Sequence, residues 1–323
     1  AYWSTPFARW QGSFSDLHSL RFAADTAARV LKAKKISPDR IDYAIVGTTV
    51  PQEKSFWGVP WAMSLIGNTA TGGPTVSQAC ATSARCLSLG AGEIAQGQAE
   101  ATLILTGDRT SNSPVVMYPN PRAASGAPAV ENWVLDNFRF DPNTSLAMVQ
   151  TAENCARDWQ ISTEEQHDVV ARRYAQYQDA LADDRAFQRR YMTLPFEVPD
   201  PKFRKPNGTI AGDEGVHPTT AEGLAKLKPV VEGGTVTFGG QTHPADGNAG
   251  MILAKRERAG DFTAEPKIEI TIRGVGQSRE RPGYMPAAPV KAAQAALRAA
   301  DVAIADIDAI KSHNPFAVND IVF

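Results

Sequence analysis

Apolar residues along this chain fall into two copies of one pattern. From Ala24 to Gly47 the run ADTAARVLKAKKISPDRIDYAIVG spaces its apolar positions three and four apart, turns at an Asp and then becomes a short apolar run. From Val290 to His313 the run VKAAQAALRAADVAIADIDAIKSH repeats that order without a gap. Ala27, Leu31, Ala33, Ile41 and Asp42 recur as Ala293, Leu297, Ala299, Ile307 and Asp308, and Ile36 meets Val302. Each copy predicts an amphipathic helix, a short turn and a buried strand. Helix–strand units are common, but an ungapped match that keeps the Ile-Asp pair favours an internal duplication.

Other segments carry weaker signals. Val76 opens a short β-prone run that turns through small residues into a helical segment reaching about Gly97. Ser162 with Glu165 three residues on forms a capping box, predicting a helix that runs to about Asp183. Pro195, Pro199, Pro201, Pro206 and Gly208 mark an extended, irregular passage. Thr235-Val236-Thr237-Phe238 alternates like a strand, and Ala249 to Lys255 reads as another apolar strand or a helix start. Residues from about 122 to 234 read as a helical, polar insertion. A long stretch follows the first copy, up to the Pro-rich turn at Pro119-Asn120-Pro121, whereas the second copy is soon followed by Phe323. The expectation is therefore a first half at 1–121 plus 235–258, an insertion at 122–234, and an incomplete second half at 259–323.

Composition narrows the class. A chain of 323 residues needs two or more cores. A net charge of -2 gives no case for nucleic acid, and the pairs Arg172-Arg173 and Arg189-Arg190 read as solvated helix faces. No apolar run reaches the roughly 18 residues of a membrane span. The three cysteines are too few for a disulfide framework, which favours a reducing, cytoplasmic compartment. Cys80 and Cys86 lack metal-ligand spacing and the five histidines do not cluster with them, so no metal is expected.

Cys80 is the chemically suggestive residue. The strand-to-helix turn puts its thiol at a helix N-terminus, where unpaired N–H groups and the helix dipole favour the thiolate. Small residues after it leave room for a substrate, and a positioned thiolate suits covalent acyl transfer. The alternative at this point is a cysteine buried as a small hydrophobe.

Several motifs in one order resemble the thiolase family. They are Ser4-Thr5-Pro6-Phe7 with Gly12, Gln78-Ala79-Cys80-Ala81-Thr82-Ser83, and Met148-Val149-Gln150-Thr151-Ala152-Glu153-Asn154. Leu224-Ala225-Lys226-Leu227-Lys228-Pro229, Thr235-Val236-Thr237 and His313-Asn314-Pro315-Phe316 follow. The resemblance implies an α/β fold of five αβαβα layers, with two similar halves and a helical insertion. It implies that Cys80 takes the acyl group of a 3-ketoacyl-CoA and passes it to coenzyme A, a substrate rather than a permanently bound cofactor. His313 falls where the family places an enolate-side donor, and the duplication predicts it at the end of a central strand, equivalent to Gly47. His at that position resembles the sterol-carrier-protein branch. The resemblance also assigns Ala147, Met148, Thr242 and Phe316 to substrate binding; Ala147 stands where short-chain enzymes carry His, which implies a larger acyl pocket.

The sequence departs from the family in places. Gly107-Asp108-Arg109-Thr110-Ser111 keeps only Gly107 and Ser111 of the usual loop. The family's catalytic His and second Cys belong to motifs beyond His313-Asn314-Pro315-Phe316, and no match to either precedes Phe323. Expected partners are CoA and acyl-CoA thioesters, a second copy in a homodimer or tetramer, and a small zinc-ribbon/OB-fold subunit. Two other readings stand beside the enzyme: a degenerate acyl-CoA- or partner-binding protein, and a ketoacyl-synthase-type condensing enzyme, against which the Thr-Ala-Glu-Asn segment argues.

Overall fold

The computed structural model describes residues 1–323 except Ala264 and Pro266, which fall in the expected opening of the second half and lie outside the described residues. Two compact units divide the chain. The first comprises Ala1–Trp133, Gln188–Val216 and Pro244–Ile270; the second comprises Val134–Phe187, His217–His243 and Thr271–Phe323.

The first unit holds the strands β1 (Tyr2–Ser4), β2 (Ala8–Arg9), β3 (Tyr43–Gly47), β4 (Thr75–Val76), β5 (Ala101–Asp108), β6 (Val115–Tyr118), β7 (Ala129–Asn132), β8 (Phe196–Pro199), β9 (Pro206–Ile210) and β10 (Ala245–Ala254). Its sheet runs β1-β10-β5-β3-β4, with β2 also on β10; β6-β7 and β8-β9 are separate hairpins. β3 lies parallel to β4 and β5, and β10 antiparallel to β5 and β1. Three helices join the sheet in this unit: α1 (Ser19–Ala33), α2 (Gly58–Ile66) and α3 (Thr82–Ala95).

Side-chain alternation decides which face each residue serves. Ala44, Val46, Leu103 and Leu105 join Leu20, Ala24, Ala27 and Leu31 of α1 and Met63 of α2 in one core. Ile45 and Ile104 point the other way and meet Cys86 of α3. The α1 positions recur at helical spacing, as the amphipathic pattern predicts, and truncating a buried leucine such as Leu31 costs about 2–5 kcal/mol. A third cluster packs Phe14, Phe22 and Phe196 in tilted and edge-to-face pairs, with ring centroids 4.7 to 5.9 Å apart. The Asp of the repeated Ile-Asp pair has a definite task here: the Asp42 carboxylate accepts the N–H groups of Glu100 and Ala101 at the start of β5.

The second unit holds α4 (Leu135–Arg139), α5 (Met148–Asp158) and α6 (Thr163–Ala180). The chain leaves it through α7 (Ala182–Arg189) and returns with α8 (Ala221–Leu224), α9 (Ala288–Ala300) and α10 (Ala317–Val322). The Ser162–Glu165 capping box is present: Glu165 N–H donates to the Ser162 hydroxyl, and Ser162 N–H to the Glu165 carboxylate. Ala152, Cys155, Val236, Phe316 and Val318 form the core of this unit.

Two expectations need correction. The second copy forms its helix, α9, but no strand follows; residues 307–314 are irregular, with Ile307 37% and Ile310 49% exposed, where Ile41 is 1% exposed. A strand exists only through its neighbours' hydrogen bonds, and among the described residues none pairs here. Asp308 likewise makes no hydrogen bond among the described residues, unlike Asp42. Helix α9 instead packs its small stripe against glycine: a Cβ on Gly276 would lie 2.0 Å from the Ala292 carbonyl, and one on Gly274 2.6 Å from that of Ala296. The segment Thr235–Phe238 is not a strand either. The Glu153 carboxylate takes the N–H groups of Thr235 and Val236, leaving only an isolated bridge between Thr237 and Pro229.

Candidate active site

Cys80 sits in a tight turn, Ala79–Ala81, between β4 and α3. Ala79 has φ of +45°, a left-handed conformation that residues with a Cβ avoid. Local bonds hold the turn in place. Gln78 N–H donates to Thr82 Oγ1 at 2.8 Å, the Thr82 hydroxyl donates to the Ala79 carbonyl at 2.7 Å, and Arg85 Nε donates to Gln78 Oε1 at 2.7 Å. Gly47 lets the first turns of α3 press on the end of β3, since a Cβ there would lie 2.8 Å from Cys86 Sγ and 2.9 Å from Thr82 Cγ2. The turn thus follows directly on a parallel strand, the side of α/β sheets where ligands usually bind.

The three cysteines separate cleanly. Cys80 is exposed, while Cys86 and Cys155 are fully buried in apolar clusters. Burial pushes both of those thiols up to about 11. The helix-terminus argument predicts a depressed pKa at Cys80, and here the structure differs. Partial desolvation of the sulfur pushes the thiol upward, the Asp108 carboxylate pushes the same way, and a backbone hydrogen bond only partly offsets them. Asp108 ends β5 within the Gly107–Ser111 segment. Its carboxylate closes off β5 by accepting from Thr48 Oγ1 at 2.7 Å, Thr49 N at 2.8 Å and Val50 N at 2.9 Å. The one histidine of this unit, His18, is spent on the Glu53 carbonyl at 2.6 Å and on the Trp61 ring. A cavity near the strand ends, lined by Gly47, Thr48 and Gly107, holds about 10 Å³, room for one water and no acyl group.

The other candidates all belong to the second unit. Ala147 precedes α5, and its N–H donates to Gln150 Oε1 at 2.7 Å; Met148 is the first helical residue and packs on the unit's core. Phe316 is only 6% exposed and lies within that core, so its side chain is a packing element. Gln241 pairs with Phe316 as an isolated bridge, and Thr242 N–H donates to the Pro315 carbonyl at 2.7 Å, which sets exposed Thr242 beside the His313–Phe316 segment. His313 is itself exposed, and its ring makes no hydrogen bond among the described residues. Partial burial lowers its pKa, favouring a neutral imidazole. The expected strand end is absent, so a side chain holds this segment instead. Asp320 accepts from Ser312 Oγ and Asn314 Nδ2 at 2.9 Å each and is gripped by Arg173 at 2.8 Å.

Sequence reasoning missed Asp320 and Arg173. They are 147 positions apart, and nothing in their local patterns marks them as a pair. Among the described residues, no group of His, Cys, Asp and Glu is arranged to hold a metal, and no helix is long and apolar enough to cross a membrane.

Comparison with known proteins agrees with the fold. A "Probable acetyl-CoA acyltransferase" of Staphylococcus epidermidis is 26% identical over 331 residues, covering 98% of this chain and 80% of that protein. The human "3-ketoacyl-CoA thiolase, mitochondrial" is 27% identical over 321 residues, covering 97% and 78%. The crystal structure of the human mitochondrial enzyme superposes with a TM-score of 0.86 at 27% identity, over 100% of this chain and 81% of that one. A structure of the same enzyme in complex with CoA gives 0.87. The architecture is thus a thiolase-like α/β fold. Residues 2–257 match the family described as "Thiolase, N-terminal domain", and the chain belongs to the thiolase family.

Proposed function

We propose that this chain is a thiolase-type acyl-CoA acyltransferase that moves an acyl group between Cys80 and coenzyme A. The observation that carries the reading is the placement of Cys80: an exposed thiol on a strained turn, beside the end of a parallel strand, with the other two thiols buried. Family membership and the CoA complex of the human relative support acyl-CoA as the substrate class.

In the cleavage direction a base takes the Cys80 proton and the sulfur attacks the 3-keto carbon of a 3-ketoacyl-CoA. The bond between carbons 2 and 3 breaks, leaving an acyl group on Cys80 and the enolate of acetyl-CoA, which takes up a proton. The thiol of CoA then attacks the acyl-enzyme, freeing the shortened acyl-CoA and restoring Cys80. Charge develops first on the keto oxygen and then on the thioester oxygen of the enolate, so donors are needed at both. Helix α3 has no side-chain cap, which leaves N–H groups of its first turn for the former. His313, whose ring makes no hydrogen bond among the described residues, suits the latter. Burial and the nearby Asp108 carboxylate raise the Cys80 pKa, so within the first unit these groups favour the thiol over the thiolate. That same feature favours a second reading, a non-catalytic acyl-CoA binder.

The acyl pocket takes chains bulkier than acetoacetyl. Ala147 offers a methyl beside the flexible Met148, and each further buried methylene contributes about 0.8 kcal/mol. Steady-state thiolysis with acetoacetyl-CoA and with branched and aromatic 3-ketoacyl-CoA substrates tests both points. Turnover that disappears in Cys80→Ser supports the enzyme, and higher kcat/KM for the bulkier substrates supports the pocket. CoA binding without turnover would establish the binder instead.

A further inference from the structure

We infer that Asp320 is the positioning residue for His313, tying down the side chains of the residues on both sides of it while leaving its imidazole free to act on substrate; this rests on the acyl-transfer reading above. Among the described residues no strand pairs with residues 312–314, yet both neighbours of His313 are tied to one carboxylate. Ser312 Oγ donates to Asp320 Oδ1 and Asn314 Nδ2 to Asp320 Oδ2, each at 2.9 Å. The carboxylate is in turn fixed from α6: Arg173 Nε reaches Oδ2 and Nη2 reaches Oδ1, both at 2.8 Å, a two-pronged contact that sets its plane. Arg173 is steadied by Gln176, which accepts from Nη1 at 3.1 Å.

The Asp320 side chain is 8% exposed, while Arg173 is 44% exposed. A carboxylate so enclosed is kept ionised only because its lone pairs are filled by these donors. Burial alone would raise its pKa, and the hydrogen bonds from Arg173, Asn314 and Ser312 bring it below the ordinary range instead. His313 takes no part in this network. A histidine with a purely structural task would spend its ring nitrogens on neighbouring backbone, as His18 does on the Glu53 carbonyl. Here the donors belong to the residues before and after, and the ring is presented.

Asp320→Asn keeps shape and size but turns an acceptor oxygen into a donor that faces Asn314 or Arg173. Asn314→Ala removes one tie and leaves the Arg173 contact whole. Histidine side-chain NMR on ¹³C-labelled protein, with the His313 signal identified by its loss in His313→Gln, reads positioning without reference to catalysis. The expected result is a His313 signal that shifts or broadens in Asp320→Asn and, less strongly, in Asn314→Ala, with His167 and His243 unchanged. Thiolysis kinetics should show kcat lowered by up to about 10²-fold with KM unchanged, the signature of a misplaced catalytic group. An unmoved His313 signal in both variants overturns the inference, and so does a change at all three histidines, which would make Asp320 a structural support. If Asp320→Asn does not fold, Asn314→Ala decides by the same criteria. Should the wild type show no thiolysis, the acyl-transfer reading fails, while the NMR comparison still decides whether Asp320 positions His313.

Discussion

Desolvation and the Asp108 carboxylate both favour the neutral form of Cys80, while its exposure keeps it within reach of a substrate. Iodoacetamide, which reacts with the thiolate, should therefore label Cys80 alone. The labelling rate should rise with pH to a midpoint above the ordinary thiol value of about 8.5. Peptide mapping across a pH series checks this; a midpoint below that value would mean that something in the resting protein already ionises the thiol. At His313 the expectation is a loss of roughly 10²–10³ in kcat for His313→Ala, the usual cost of one oxyanion donor. A variant with near-full turnover would return His313 to a bystander's role. The position of Cys80 was legible in the sequence because a strand, a run of small residues and a helix lie consecutively around it. Its electrostatics were not, because Asp108 reaches it through the fold from the end of β5.

Among the elements, those whose partners are close in sequence were the legible ones. The α6 capping box lies within four residues, and the α1–β3 unit buries its apolar face on the β5 and α2 that follow it. The misreadings share one cause: Thr235–Phe238 and the second-copy strand both carry strand-like patterns, but a strand also needs a free ladder. Glu153 occupies the N–H groups of the first, and no neighbour pairs with the second among the described residues. The junction of β3 with α3 gives a sharp test. Gly47→Ala would place a methyl within 3.0 Å of Cys86, Thr82 and Thr106 side-chain atoms, so the Cys80 turn must shift. Overpacking of this kind costs about 1–3 kcal/mol. Urea unfolding should show that loss, accompanied by a lower kcat; unchanged stability and turnover would mean the junction is looser than its distances indicate. At the start of α6, Ser162→Ala should cost about 1 kcal/mol with no effect on acyl transfer.

For the molecule as a whole, titration sets where the fold is most stable. His18 and His313 have pKa values lowered in the folded state, mainly by burial, so the unfolded chain protonates first as pH drops below about 6.5 and stability falls. The thiols of Cys80, Cys86 and Cys155 have raised values, so the unfolded chain ionises first as pH climbs past about 8.5, and stability falls again. The urea midpoint should therefore peak between these limits and decline on both sides; a midpoint that keeps rising to pH 9.5 would show that the buried thiols do not govern the alkaline limb. The division into two units explains why the duplication was only half informative. The first copy builds one face of a complete sheet, whereas α9 of the second copy has no buried residue and meets glycine backbone instead.

Covalent transfer through Cys80 is tested most directly by trapping the acyl-enzyme. The protein is mixed with a 3-ketoacyl-CoA in the absence of free CoA, quenched in acid, digested and examined by mass spectrometry. The peptide containing Cys80 should gain the mass of the acyl group, lose it when CoA is added before quenching, and gain nothing in Cys80→Ser. An unmodified Cys80 peptide from protein that turns over once CoA is supplied, or an acyl group on Cys86 or Cys155, would contradict the mechanism.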